Sequence, residues 1–557
     1  MMLDNVEKLP VPALEEERPV GTVVGVSSTM EFQMQVKPDS VRTQDLVALD
    51  TWEDGERFRV WAKVGSIERL NPLFPREAAQ ELAFQGRDPV DSVISMSREM
   101  ITAKCKVIGV QRDGRLEPPK YPVQPAGQVY VPPADEIEAF LVGDTKEHRR
   151  LFLGKERGNR DVSVYVDGHA VVSRHLAVLA STGAGKTVAT RKLLEELMVK
   201  GYPILIFDPH GDYAGLHIAK KTKVTTYLPE IRIADEEPDQ VVSYISGLAG
   251  VEITEAQEPF VKGAVLIARD GDKWHQASVA FEKMGLQRLQ KCVADDHFFA
   301  VAEFCDRVYD FKSERETERL PNPIRDLAEG LNVGGSTATA AARKCSRAGA
   351  RYAHMKKVNN KFSRKPGMPP PEQLPPTSKL HTLISPHTVS IISLEGYSDE
   401  LRQSIVAAVM SQLMDDRIDE KCPRFLTVVE EAHNFIPNRI DDTRAPSLPV
   451  LKRIATEGRK YGMGLVFISQ RPSRLDATVL SQANSFLILR IVNPADQKYI
   501  RDVVETMGED EAKTLPNLNT GEALLSGQFT RIPVMVRVEK SRSAGKHEEE
   551  DFLEGYG

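Results

Sequence analysis

The stretch HLAVLASTGAGKT, residues 175–187, decides the fold of most of this 557-residue chain. Its apolar first half is typical of a strand, the glycines at 183 and 185 indicate a loop, and Lys186 and Thr187 open a helix-like segment. A strand, a glycine-containing loop and a helix in this order form a P-loop, whose backbone N–H groups and helix N-terminus hold phosphate. The predicted nucleotide-binding residues are Ser181, Thr182, Gly183, Ala184, Gly185, Lys186, Thr187 and Val188.

The P-loop predicts ATP and Mg²⁺ as cofactors. Lys186 would reach the β- and γ-phosphates, and the hydroxyl of Thr187 would bind Mg²⁺. The sequence departs from the usual pattern at Ala180, where the motif has its first glycine. Alanine is tolerated at this position if its φ angle is negative, because only a positive φ requires glycine. We expect the departure to be harmless.

The residues around the P-loop predict an α/β fold. Short apolar runs alternate with helix-like segments such as LRQSIVAAVMSQLM, residues 401–414. Continuous apolar strands between helices indicate a parallel sheet that is covered on both faces. The fold class is therefore a RecA-like P-loop ATPase core. Its predicted strands are HLAVLA (175–180), PILIFD (203–208), TVSIISL (388–394), FLTVV (425–429), GLVFISQ (464–470) and SFLILRI (485–491).

Polar side chains follow three of these strands at the edge where ligands of parallel sheets bind. Glu430 and Glu431 follow FLTVV in a Walker B arrangement, and we assign Glu430 to the metal and Glu431 to the attacking water. Asp208 would be a second carboxylate near Mg²⁺ or the water, and Gln470 would sense the γ-phosphate. A plain turn at Asp208, a solvated acidic pair that starts a helix and a structural glutamine are the open alternatives.

The rest of the chain divides by composition and periodicity. Before about residue 145, apolar and polar residues alternate in runs such as 32–36 and 58–64, which predicts strands of a small barrel or sandwich. A helix-rich stretch interrupts the ATPase core and ends in PGMPPPEQLPP, residues 366–376. The predicted segments are a β-barrel at 1–145, core at 146–229, a helical insertion at 230–378, core at 379–540 and an acidic tail at 541–557.

Composition excludes several classes of protein. The net charge of -7 gives no global basic field, so any nucleic-acid site must be local or built from several copies. The five cysteines lie far apart, which argues against a disulfide framework or a zinc site. No run approaches the roughly 18 apolar residues that span a bilayer, and the first residues lack a signal-peptide pattern. We expect a cytoplasmic protein without a membrane segment.

One local basic segment stands out. Between Glu329 and Glu372 the chain has no acidic residue, and Tyr352, His354 and Phe362 interleave with its basic residues. Such a segment could follow a phosphate backbone, and several copies around a pore would multiply its field. A solvated helix face or a surface that docks a protein partner is the equally weighted alternative. The nine basic residues are Arg343, Lys344, Arg347, Arg351, Lys356, Lys357, Lys361, Arg364 and Lys365.

The motifs together resemble the HerA branch of the FtsK–HerA ATPases, which are hexameric DNA translocases. The resemblance spans about 175–527, and the β-rich start and the helical insertion correspond in position to that family's HAS-barrel and helical subdomain. The pairing of EEAHNF with EGRKYG and SQRP is far more specific than the P-loop alone. The motifs, in family order, are HLAVLASTGAGKT, LIFDPHGDY, VVEEAHNF, EGRKYGMGLVFISQRP, LILRIVNPADQ and LPNLNTGEALLSG.

The resemblance implies a homo-hexamer that binds ATP between subunits and moves double-stranded DNA. Such a site needs an arginine from the neighbouring subunit, for which Arg459 is the first candidate, followed by Arg453 and Arg174. Each could instead be a surface or structural residue. Relatives work with NurA-like nucleases in DNA end processing, or with sirtuin-like and other effectors in anti-phage defence. The alternative function is a ring scaffold that uses ATP to activate an effector.

Overall fold

The computed structural model divides the described chain into two compact units. The first comprises Met1–Glu147 and Gly154–Tyr165, and the second comprises His148–Leu153 and Val166–Gly557. The described residues are 19–542, apart from 54, 71–99, 113–114, 160, 214, 217–221, 231–235, 284, 286, 288, 290–300, 306–334, 363–368 and 439–444.

The first unit is an antiparallel sheet that closes on itself. Its strand order is β3-β4-β5-β2-β1-β7, with β6 beside β5, and a bridge between Ala48 and Tyr130 joins the end of β7 back to β3. Alternate residues of β2 are buried, as the period of two predicts. The predicted barrel-like sheet is therefore present. Its strands are β1 (Gly21–Val24), β2 (Glu31–Val36), β3 (Leu46–Glu53), β4 (Glu56–Leu70), β5 (Met100–Arg112), β6 (Arg115–Glu117) and β7 (Gln128–Val129).

One outward position of the barrel is covered, against the expectation from alternation. Within the alternating run 58–64, Trp61 falls on the face opposite to Val60 and Ala62, yet its side chain is fully buried. Helix α1 (Ala134–Val142) packs there, and the ring of Phe140 stacks on Trp61 with a centroid distance of 3.9 Å. The sequence reading missed this helix because a nine-residue helix after a run of strands has a weak periodic signal.

The second unit contains the predicted parallel sheet, but antiparallel strands extend it and make it a mixed sheet. Its strands from one edge follow the order β13-β12-β14-β11-β15-β16-β10-β17-β18-β19, and β8 and β9 lie where the chain passes between the units. The pairs from β13 to β17 are parallel, whereas β17-β18 and β18-β19 are antiparallel. The strands are β8 (Arg150–Glu156), β9 (Ser163–Asp167), β10 (Leu176–Leu179), β11 (Ile204–Asp208), β12 (Lys223–Leu228), β13 (Glu372–Gln373), β14 (Thr388–Ser393), β15 (Phe425–Val429), β16 (Met463–Ser469), β17 (Ser485–Ile488), β18 (Glu522–Gly527) and β19 (Val534–Val538).

All six predicted core strands are confirmed, and the α/β class with them. Six further strands of this sheet are not among the predicted ones: β8, β9, β12, β13, β18 and β19. The strand β12 is half-buried and rich in threonine, so it lacks the continuous apolar run of a central strand. The short strand β13 lies inside the proline-rich stretch, at the edge of the sheet where prolines are tolerated.

Helices cover this sheet, and those of the insertion share its core. One continuous cluster of buried side chains includes Phe207 and Phe467 of the sheet and Phe260 and Phe281 of the insertion. No helix in the described part of the chain has the length and apolar composition to cross a bilayer. The helices are α2 (Gly168–Arg174), α3 (Lys186–Val199), α4 (Pro238–Ala249), α5 (Glu258–Arg269), α6 (Gly271–Lys283), α7 (Gly335–Phe362), α8 (Asp399–Ile418), α9 (Ser447–Tyr461), α10 (Ala477–Leu480), α11 (Pro494–Val503) and α12 (Glu509–Thr514).

The start of the predicted acidic tail belongs to the packed structure. Ser541 is buried and its hydroxyl donates to the Glu195 carboxylate on α3, which also accepts the backbone N–H of Arg542 at 2.9 Å. Residues 541 and 542 are therefore fixed against the helix that follows the P-loop. The remainder of the predicted tail lies outside the described residues.

Candidate active site

The carboxyl ends of four neighbouring strands meet at one edge of the sheet. Parallel pairing places β10 beside β16, β16 beside β15, and β15 beside β11. The P-loop follows β10, Gln470 follows β16, Glu430 and Glu431 follow β15, and Asp208 ends β11. Residues far apart in sequence are thus brought together, at the edge where α/β proteins bind their ligands.

Glycine is needed at positions 183 and 185 of the P-loop for different structural reasons. Both adopt positive φ angles, 73° for Gly183 and 95° for Gly185. A side chain at Gly185 would also lie 3.1 Å from the backbone nitrogen of Gly521, whereas the space around Gly183 is open. Helix α3 then begins at Lys186 without a side-chain cap, so the N–H groups of its first turn are available to an anion.

Ala180 has the negative φ angle at which alanine is tolerated in place of glycine. It is absent from the residues with positive φ, its side chain is fully buried, and its N–H donates to the Ser469 carbonyl at 3.2 Å. A glycine is therefore not required for backbone conformation at this position. The departure from the usual motif leaves the strand-to-loop junction intact.

A buried ion cluster lies behind the P-loop. The ammonium of Lys186 is 2.8 Å from Oε1 of Glu431 and 3.3 Å from Oε1 of Glu430. Burial disfavours the charge of Lys186, but the two carboxylates outweigh it and raise its pKa above the ordinary value. Lys186 and its two acidic partners therefore stabilise one another's charges.

The two carboxyl groups of this cluster are electrostatically distinct. Burial raises the pKa of Glu430 to about 7, with Lys186 opposing the shift and Glu431 adding to it. Burial also acts on Glu431, but Lys186 and the amide of Gln470 outweigh it and hold its pKa below the ordinary value. Glu431 therefore carries the negative charge at neutral pH, while Glu430 is close to its titration midpoint.

Gln470 links the P-loop to Glu431. Its amide oxygen accepts from the Thr182 hydroxyl at 2.6 Å, and its amide nitrogen donates to Oε1 of Glu431 at 2.6 Å. One oxygen of Glu431 thus receives both Lys186 and Gln470. The backbone at Glu431 has a φ of 49°, a left-handed conformation that is costly for a side chain of this size and is common at functional sites.

His433 contacts the second oxygen of Glu431. Its Nδ1 atom is 3.4 Å from Oε2 of Glu431 and 3.2 Å from the Ser469 hydroxyl. Burial lowers the pKa of His433, although Glu431 opposes this shift. The imidazole is therefore placed to orient the carboxylate of Glu431 from behind.

Asp208 organises a loop and does not line the cavity. Its Oδ1 accepts the backbone N–H groups of residues 210, 211 and 212 at 3.2, 2.8 and 3.1 Å, and its Oδ2 accepts that of Tyr213 at 2.9 Å. The carboxylate is thereby saturated, so the alternative of turn chemistry describes it better than the metal-side role. The loop it fixes presents His210 and Asp212 to the cavity, and the sequence reading missed both.

The edge of the sheet at the P-loop forms an open cavity of about 470 Å³. Seven of the eight predicted nucleotide-binding residues line it, and Ala184 is buried beneath the loop, where its carbonyl accepts the Gly521 N–H at 3.0 Å. Thr520 lies in the LPNLNTGEALLSG motif but is not among the predicted site residues. The lining residues are Ser181, Thr182, Gly183, Gly185, Lys186, Thr187, Val188, His210, Asp212, Glu431, Gln470 and Thr520.

The oxygen donors at this cavity suit Mg²⁺. Thr187, Asp212 and Glu431 line it, and hydroxyl and carboxylate oxygens are the donors that Mg²⁺ prefers. Glu430, predicted as the metal ligand, is fully buried and contacts Lys186 and the Tyr213 hydroxyl. The described residues contain no ready cluster of three metal-binding side chains. Mg²⁺ commonly keeps several waters and takes phosphate oxygens, so a sparse protein donor set fits it.

The three candidate arginines lie away from the cavity of their own chain. Arg459 and Arg453 are exposed on α9, where Arg453 is 3.6 Å from Glu457, and Arg174 is half-buried at the end of α2. None belongs to the described lining of the cavity. Any contact with nucleotide would therefore come from a neighbouring subunit.

Changes at two P-loop positions should have opposite outcomes. Gly185→Ala places a side chain in a left-handed position against Gly521, so we expect ATP binding to be lost. Ala180→Gly should leave ATP affinity within a few-fold of the wild-type value, because Ala180 needs no special backbone conformation. Titration of both variants with a fluorescent ATP analogue checks this. A large change in affinity for Ala180→Gly would contradict the assignment.

Comparison with known proteins places most of the second unit in one family. Residues 151–413 match the family described as helicase HerA, central domain, and residues 404–542 match the helicase HerA-like C-terminal domain. The DNA double-strand break repair helicase HerA of Pyrococcus furiosus is 26% identical over 546 residues, covering 93% of this chain and 92% of that protein. A probable DNA double-strand break repair helicase HerA of Methanocaldococcus jannaschii is 29% identical over 470 residues, covering 79% and 86%.

Among solved structures, VirB4 of Thermoanaerobacter pseudethanolicus is 15% identical with a TM-score of 0.43, and covers 71% of this chain and 98% of that one. The two HerA domain matches together span residues 151–542, which is most of the chain and includes every residue of the cavity. This chain belongs to the HerA family of P-loop ATPases.

Proposed function

We propose that the chain is an ATP-driven translocase of double-stranded DNA that works as a ring of six. The observation that carries the proposal is the network in which Lys186 and Gln470 converge on one oxygen of Glu431. Hydrolysis of ATP needs a nucleotide-binding loop, an acidic residue and a polar link between them, and the network contains all three. The relatives named as DNA double-strand break repair helicases support DNA as the substrate.

The geometry suggests how binding of ATP prepares the site for hydrolysis. Lys186 is paired with Glu431, and a bound γ-phosphate would compete for the same ammonium. Glu431 would then be free to polarise the attacking water. Loss of the contact with Lys186 would remove the main influence that lowers the pKa of Glu431, so the carboxylate would become a stronger base. Mg²⁺ would supply charge neutralisation at the phosphates, with Thr187 and Asp212 as its protein-side oxygen donors.

Gln470 is suited to report which nucleotide is bound. It touches Thr182 of the P-loop and Glu431 at the same time, so any group that displaces Lys186 from Glu431 changes its surroundings. Gln470 directly follows β16, a strand near the centre of the sheet. A displacement at this residue can therefore be transmitted along a rigid element, which a motor requires.

The hexamer is part of the proposal because the described lining of the cavity contains no arginine. A neighbouring subunit could supply Arg459, whose exposed position on α9 is compatible with donation in trans. Such an arginine is worth on the order of 10³–10⁵ in rate in related phosphoryl transfers. Arg453 and Arg174 remain the weaker candidates, since Arg453 is near Glu457 and Arg174 is half-buried.

Mixing two inactive variants tests donation in trans. Arg459→Ala and Lys186→Ala subunits should each have little ATPase activity, and mixed rings should recover part of it. Interfaces that combine an intact Lys186 with an intact Arg459 form only in mixed rings. Steady-state ATPase rates over a series of mixing ratios are the measurement. Arg453→Ala in place of Arg459→Ala is the matched control, and absence of any recovery in the first mixture would argue against Arg459.

We further propose that a separate protein cuts the DNA. A nuclease of the NurA type would make the pair a DNA end-processing machine, and a sirtuin-like or other effector would make it a defence system. The resemblance to HerA proteins supports both partners equally. The second candidate function is a ring scaffold, in which ATP turnover organises a bound effector and DNA movement is incidental.

DNA dependence of ATP hydrolysis separates the two functions. Because translocation couples ATP turnover to the substrate that is moved, we expect linear duplex DNA to raise the ATPase rate of the wild-type chain several-fold. The Lys186→Ala variant, assayed with the same DNA, controls for contaminating ATPases. A rate that is indifferent to DNA and rises only with an effector protein would favour the scaffold.

A further inference from the structure

Helix α7 is a long basic helix within the insertion. It runs from Gly335 to Phe362 and has no acidic residue in its 28 positions. Its inward face is apolar and belongs to the buried core, with Ala341, Cys345 and Tyr352 among its members. Tyr352 is therefore unavailable for stacking on a base, contrary to the interleaved pattern noted in the sequence.

Three basic residues of α7 make contacts that stabilise the fold. The Lys344 ammonium donates to the Glu252 carbonyl at 2.6 Å, and Arg351 donates to the Leu248 carbonyl at 3.1 Å. The Lys356 ammonium is 2.7 Å from the carboxylate of Glu230, which is mostly buried. These contacts fasten α7 to the segments around α4, so their side chains are engaged and are poor candidates for binding a ligand. Arg364 and Lys365 lie outside the described residues.

Four basic residues of α7 remain on its exposed side. Arg343, Arg347, Lys357 and Lys361 are exposed, and none has an ion-pair partner among the described residues. At 3.6 residues per turn they fall within an arc of about 80°, and at 1.5 Å per residue they extend over about 27 Å. His354 lies on the same arc and is also exposed. We call these four cations the α7 stripe.

We propose that the α7 stripe binds the phosphate backbone of double-stranded DNA. The proposal rests on the proposed function and adds to it the surface that holds the substrate. Charge and shape both favour a duplex: the stripe is straight, has one sign of charge, and is fixed on a helix whose opposite face is buried. A duplex carries one negative charge per roughly 1.7 Å of its axis, so it matches the stripe along its whole length.

A groove beside the stripe gives room for a phosphate group. Arg347 and His354 line an open groove of about 650 Å³, together with Arg351 and residues at the start of α8. Glu400 is the one acidic residue in its described lining. The local charge of the groove is therefore positive. Arg347 lines the groove, so an anion in the groove could reach its guanidinium.

An acidic segment of a protein fits the stripe less well than DNA does. The chain's own acidic cluster, residues 548–551, is four residues long, and at about 3.5 Å per residue it spans about half of the stripe. Phe552 and Leu553 follow it, so a longer acidic run is not available in that part of the chain. A linear polyanion of the length of a duplex has no such limit.

Two pairs of substitutions test the proposal in the full-length chain. Arg343→Gln with Arg347→Gln, and separately Lys357→Gln with Lys361→Gln, each remove two exposed charges without touching a described contact. The probe is a fluorescently labelled duplex, titrated at a series of salt concentrations. Because each phosphate contact contributes about 0.9 to the slope of log K against log salt, each pair should weaken binding and reduce that slope by about 1.8. ATPase activity without DNA should stay unchanged.

Lys273→Gln with Lys283→Gln is the matched control, since both residues are exposed on α6 of the same insertion. This pair should leave the slope as in the wild type. An unchanged slope in both stripe variants, while the wild type binds DNA, would overturn the stripe and leave the proposed function standing. A wild-type chain that binds no duplex at all would overturn both. A further variant lacks residues 547–557. If this deletion strengthens DNA binding only when the α7 stripe is intact, the acidic tail and not DNA would be the occupant of the stripe.

Discussion

The ion cluster of Lys186, Glu430 and Glu431 is the interaction on which the rest of the active site depends. Three ionisable groups are buried at the end of a parallel sheet, and each is tolerated only because the others are present. Removing one partner of such a buried cluster leaves an uncompensated charge, at a cost of about 3–5 kcal/mol. A phosphate group that takes the lysine from Glu431 therefore has a direct energetic effect on the acid. Binding and activation of the site are thus one electrostatic event.

The α/β core could be predicted from the sequence because its signals are local. Continuous apolar runs marked six strands, and polar residues at their ends marked Lys186, Glu431 and Gln470 as a site. The sequence could not tell which carboxylate faces the cavity. Glu430 and Asp208 follow buried strands as Glu431 does, yet one is enclosed and the other is saturated by four backbone N–H groups. That distinction depends on the path of each loop.

The basic residues of the insertion show the same limit of prediction from sequence. Nine basic residues in one segment are a single feature in the sequence, but the helix sorts the described ones into two classes. Lys344, Arg351 and Lys356 are engaged by the fold, and the four residues of the α7 stripe are exposed. Helical periodicity alone could have suggested the stripe. Which side of the helix is buried depends on contacts with α4 and α8, and these are not visible in the sequence.

The central claim is that Glu431 activates water for hydrolysis while Lys186 and the P-loop hold the nucleotide. Replacement of Glu431 by glutamine keeps the size and hydrogen-bonding capacity of the side chain but removes its charge. The direct measurement is single-turnover hydrolysis of ATP by Glu431→Gln, with ATP affinity determined on the same preparation. The account predicts near wild-type affinity and a hydrolysis rate lower by on the order of 10²–10⁴. Hydrolysis at the wild-type rate would contradict it.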